Sequence, residues 1–244
     1  MRHYYLVTFF LIILFCSCKA VSVQNEQQQT TVNIKVLGTL GQQSTSLSGT
    51  DYNTITLPNL SDPIRVSILQ TPFSKPTFKA FKKAKEMSTI SVNVSYNDSS
   101  KTKPKFLKID IADKVAFLKA LNHSNNSDVK DYLSTDNDAH IVTGTSILLP
   151  ENETKLLLEA QEVFLQELGQ KSYALVVYSN NQAQGKVLFK QGVVFTYRPS
   201  YACWQEDSKH QLQIVNLVEG KRSCPPKTYK SAKRAKKKIN YFKF

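Results

Sequence analysis

The chain has 244 residues, 41% of them hydrophobic, and a formal net charge of +13. The apolar share is enough for a packed core and excludes a wholly disordered polymer. The charge suggests nucleic acid only until it is located: residues 221–244 hold ten basic side chains and no acid, and without those and Arg2 the balance is +2.

Residues 4–18 (YYLVTFFLIILFCSC) are uncharged and mostly apolar, behind Arg2, and at 15 residues they fall short of the roughly 20 that a membrane-spanning helix needs. A basic start, a short apolar stretch and small residues at its end make a secretory signal, and the polar run QNEQQQ follows instead of a stop-transfer pattern. In Phe15-Cys16-Ser17-Cys18, Ser17 fits the small position before a modifiable cysteine, while Phe15 and Cys16 depart from the usual leucine and small residue. These residues resemble the lipobox of bacterial lipoproteins, of the kind met in Bacteroidota. The resemblance implies a diacylglyceryl group on Cys18, removal of residues 1–17 and a membrane partner reached through that lipid. Lys19-Ala20-Val21 lacks the acidic residues that typically signal surface export in that group, so a periplasm-facing position is expected. The alternative is plain secretion with cleavage after Ala20, for which sequons at Asn59, Asn93, Asn97, Asn122, Asn125 and Asn152 offer support in a eukaryotic setting. Residues 18–30 are expected to be the lipid attachment and a polar tether, reaching on the order of 20 Å as a random coil.

Residues 31–220 read as one α+β domain, mainly antiparallel β-sheet with a few helices. Alternation over 31–37 places Val32, Ile34 and Val36 on one face; residues 89–96 and 106–111 alternate in the same way, each predicting a strand with one wet side. Further strands are expected at 64–69, 141–149, 173–178, 186–190, 193–197 and 210–217, with a hairpin loop in SNNQAQGK. A helix is expected over 151–168, with a strand from Glu162 as its alternative; shorter ones are expected after Pro76, after Asp113 and over 127–133.

In the body beyond Cys18, Cys203 and Cys224 are the remaining cysteines, and in an exported chain they are expected to form one structural disulfide beside Trp204. Residues 221–244 are expected to be a basic, helical tail. Its Lys230, Lys233, Arg234, Lys236, Lys237 and Lys238 are candidates for contact with an anionic surface, a polymer or an envelope protein. Solvated lysines on a packed helix are the plain alternative. Nucleic acid is not expected as a partner, since an exported protein rarely meets it.

Catalytic signatures are missing: no Gly-x-Ser-x-Gly, no His-Glu-x-x-His, no P-loop and no dinucleotide fingerprint. Asp136, Asp138 and His140 cluster, but without the glycine and terminal glutamate of a calcium loop, and read as an exposed turn. No cofactor or metal is expected. The reading is a non-catalytic cell-envelope binding or assembly protein; a hydrolase with a sequence-distant site and a small-ligand carrier stand as alternatives.

Overall fold

The computed structural model describes residues 20–24, 26–46, 49–169, 172–180, 182–220 and 222–237. The signal segment 1–17, Cys18 and Lys238 lie outside the described residues. Among the described residues twelve strands form one sheet system, nine of them in the order β1 (Ala20–Val23), β2 (Glu26–Thr30), β11 (Val193–Glu206), β7 (Ala139–Leu148), β6 (Lys105–Ile111), β5 (Ile64–Pro72), β8 (Glu162–Glu167), β9 (Tyr173–Ser179), β10 (Gln182–Leu188). Off that path, β12 (Leu212–Glu219) pairs with β11, and the hairpin of β3 (Leu40–Ser46) and β4 (Gly49–Thr56) pairs with β7 through β3. Every pairing among the described strands is antiparallel. The expected α+β class is therefore what the chain adopts.

Among the described residues five α-helices accompany the sheet: α1 (Lys75–Glu86), α2 (Lys114–Asn122), α3 (Ser127–Thr135), α4 (Glu151–Leu158) and α5 (Ala232–Lys237). Their starts have local causes. Ser74 and Thr77 close a capping box with Pro76 in the first turn of α1, and Asp113 accepts from Ala116 N to start α2. Helix α4 stops at Leu158, and the chain re-enters the sheet as β8, the alternative foreseen for Glu162 onward.

Period-two alternation on β6 divides the interior. Leu107, Ile109 and Ile111 join the large core with Phe117 and Leu121 of α2, Val129 and Leu133 of α3, Trp204, and Ala232 and Ala235 of α5. Phe106 faces the other way, into a second core of Phe73, Phe81 and Phe195 closed by α1 and by Val23 of β1. Its rings lie 4.8 Å (Phe73–Phe106) and 5.0 Å (Phe106–Phe195) apart, the latter edge to face.

Three sequence expectations are corrected. The polar stretch 19–30 is not a tether: from Ala20 it forms the β1–β2 hairpin, whose β2 pairs with β11 at Thr196 and Tyr197. A flexible coil was expected because the stretch has few apolar side chains, yet Val23 and Gln28 are fully buried. Residues 31–37 form no strand, and the expected face is inverted, with Ile34 47% exposed while Thr31 and Lys35 are buried. Lys35 Nζ donates to Tyr52 O at 2.7 Å, a polar tie that alternation cannot reveal. Residues 89–96 also lack ladder pairing; Val92 is buried and Ile90, Val94 and Tyr96 rest on the phenylalanine core, so the pattern marked an apolar face without a strand.

Candidate functional site

The opposite face of β6 carries Lys108 and Asp110, both buried although the alternation predicts a wet side. The cause is the β1–β2 hairpin, which brings Glu26 and Gln28 over them. Glu26 Oε2 accepts from Lys108 Nζ at 2.7 Å and from Arg198 Nη1 of β11 at 2.5 Å. Lys108 Nζ also lies 3.3 Å from Asp110 Oδ2, Arg198 Nη2 lies 3.0 Å from Asp110 Oδ1, and Arg198 Nε lies 3.4 Å from Glu219 Oε1 of β12. Two cations thus meet three carboxylates drawn from four strands. Gly144 of β7 makes the room: a Cβ there would stand 2.3 Å from Asp110 Oδ1 and 3.2 Å from the guanidinium carbon. Around this network, Gln28 Oε1 accepts from Ser146 Oγ at 2.9 Å and from the Thr196 hydroxyl, and Thr143 and Ser200 hydroxyls meet at 2.6 Å.

Electrostatics at this site pull both ways. Burial alone raises the Glu26 carboxyl, but the Lys108 hydrogen bond and the Arg198 and Lys108 charges hold it below its ordinary 4.5. Burial pushes the Asp110 carboxyl up from 3.8, ahead of the pull of Arg198 and Lys108. A cavity of about 10 Å³ beside Thr143, Ser200 and Glu219 has room for about one water. Glu26 Oε2 takes both cations, so this arrangement ties the N-terminal hairpin to the sheet. Among the described residues no group of three or more His, Cys, Asp or Glu side chains is placed to hold a metal ion.

The cysteines expected to pair do so. Cys203 of β11 and Cys224 are bonded, with Cα atoms 5.7 Å apart. Next to them, Trp204 N donates to Tyr229 O at 2.7 Å and Tyr229 N to Trp204 O at 2.9 Å, so the root of the tail is stitched to β11 twice. Beyond it, α5 buries Ala232 and Ala235 in the large core and leaves Lys233, Arg234 and Lys236 exposed, with exposed Lys230 just ahead. The tail is helical over Ala232–Lys237, and its candidate cations sit around a docked turn. His140, grouped with Asp136 and Asp138 in the sequence, instead lies buried in β7 between Tyr52 and Tyr201, where burial holds its imidazole below 6.5. The sequon residue Asn122 donates Nδ2 to Leu118 O and Ile214 O and accepts from Ile214 N, tying α2 to β12.

Two features escaped the sequence reading. The buried network was hidden because Glu26, Lys108, Asp110, Arg198 and Glu219 are scattered along the chain. A second basic surface was hidden by summation: residues 72–105 hold eight lysines and two acids, which acids elsewhere in the body cancel. Compared with protein-family models, with curated proteins and with solved structures, the chain finds no match.

Proposed function

We propose that this chain is an exported lipoprotein, anchored through Cys18 on the periplasm-facing side of a membrane, whose α+β body works by binding an envelope partner and not by catalysis. The observation that carries the reading is the Cys203–Cys224 disulfide, which belongs to an oxidising compartment and agrees with the signal-like residues 1–17. The bond also holds the basic segment in place: Lys230, Lys233, Arg234 and Lys236 are displayed on a fixed base, suited to an anionic polymer or an acidic envelope protein. Lys237 and Lys238 extend the same run in sequence. Among the described residues no helix is long and apolar enough to cross a membrane. In this reading attachment is through the acylated Cys18.

Fractionation of host cells tests it. The wild-type chain is expected in the membrane fraction, released by detergent and retained in high salt, and Cys18→Ala is expected to shift it to the soluble or secreted fraction. A wild-type chain that is soluble from the start would overturn the anchor.

A further inference from the structure

We propose that the lysine face of α1 is the surface on which this protein lies against an anionic phospholipid leaflet. At 100° per residue, Lys75, Lys79, Lys82 and Lys83 fall on one side of the helix, and all four are exposed. Thr77, Ala80, Phe81 and Ala84 fall on the other and are buried. Lys101 and Lys105, also exposed, extend the basic surface from the loop and strand start beside the helix, where Phe73 N donates to Pro104 O. Of the two acids in residues 72–105, Asp98 is already matched by Lys103 at 3.6 Å, while exposed Glu86 falls on the same side of the helix as the four lysines and leaves that face a net charge of +3. No ion pair among the described residues involves Lys79, Lys82 or Lys83. Met87, just past the end of the helix, is 71% exposed and gives the face an apolar side chain for the headgroup layer.

Placement argues for a bilayer over a soluble polyanion. Helix α1 packs on β1 through the phenylalanine core that Val21 and Val23 share, and β1 begins at Ala20. With Cys18 acylated, only Lys19 separates the lipid from the folded sheet, so the basic helix fastened to that strand is held at the headgroups. The basic turn around α5 sits elsewhere: Phe195 of β11 meets Phe81 of α1, whereas Trp204 of β11 pairs with Tyr229 just ahead of α5, nine positions or about 30 Å along the strand. On this arrangement α1 takes the membrane and the C-terminal lysines are left for the partner. The inference borrows its location from the lipoprotein reading, but the charge of the face stands without it.

The test is amine footprinting of the full mature chain with a membrane-impermeant acylating reagent, read lysine by lysine. In vesicles of phosphatidylglycerol and phosphatidylethanolamine, Lys79, Lys82 and Lys83 are expected to react at least roughly fivefold more slowly than in phosphatidylcholine vesicles, and high salt is expected to remove the difference. Lys190, exposed at the β10 end of the sheet, is expected to react equally in both. Equal rates at the α1 lysines, or protection of Lys233 and Lys236 in their place, would overturn the proposal. So would protection by a soluble polyanion such as heparin with none by anionic vesicles. The intact mass of the same sample separates the two claims. An unacylated chain with protected α1 lysines removes the anchor and keeps the face, and K79E/K82E/K83E should then weaken vesicle binding at least roughly tenfold. An acylated chain with unprotected α1 lysines keeps the anchor and removes the face.

Discussion

Replacing Arg198 with methionine is expected to destabilise the fold by about 3–5 kcal/mol, the usual cost of removing one partner from a buried ion pair. Arg198 is 4% exposed and touches Glu26, Asp110 and Glu219. Methionine fills much of the same space, so the loss reports charge more than volume. Three carboxylates would be left with Lys108 as their single buried cation. Denaturant unfolding at neutral pH measures the drop; one below about 1 kcal/mol would mean that water reaches the network and screens it. The acid limb gives a second readout. Because Glu26 is held below 4.5 in the folded state, its contribution is present above about pH 4.5 and is lost as pH falls through the lower folded value. Asp110, pushed up, runs the other way: its contribution is full at low pH and is lost as pH rises through its folded value. In Arg198→Met the Glu26 part of that limb should shrink, since one of the two cations that hold the carboxyl down is gone.

Removing the disulfide by Cys203→Ser and Cys224→Ser together is expected to cost about 3 kcal/mol, from the entropy an unlinked chain of this loop length regains on unfolding. The positions are 21 apart in sequence, and the closed loop contains the whole of β12. Reductant on the wild type should give the same drop, and the double variant should ignore reductant. The loss should also reach the tail. With the covalent tie gone, the Trp204–Tyr229 bridge and the two alanines of α5 remain to dock the basic turn, so its amides should exchange faster than those of β11. Unchanged stability under reductant would mean the bond adds nothing to the fold and would remove the physical argument for an oxidising compartment.

How far the sequence carried depends on what kind of signal each element left. Strands β5, β7, β9 and β11 were legible because each holds a stretch rich in β-branched and aromatic residues, and the starts of α1 and α2 because Pro76 and Asp113 mark them chemically. The β3–β4 hairpin was not: its two strands, LGQQSTS and GTDYNTIT, are polar and show no alternation against a core. The β1–β2 hairpin was missed for a related reason. Its burial is driven by Glu26 and Gln28 bonding to Lys108, Ser146 and Arg198, all far along the chain, and no local pattern encodes a partner at that separation. Lys108 and Asp110 show the same limit from the other side, since a polar residue in an alternating strand reads as wet unless its cover is known. The cysteine pair was legible because few cysteines left few pairings. The lysine face of α1 is written plainly in KPTFKAFKKAKE, and acids elsewhere in the body hide it in the net charge.

The most direct test of the central claim is the intact mass of the mature protein taken from membranes of its native host, with and without reductant. The expected result is a chain that starts at Cys18, carries diacylglyceryl and acyl groups, and gains the mass of the two cysteine hydrogens on reduction. An unmodified chain that starts at Val21 would contradict it and make this a freely secreted protein.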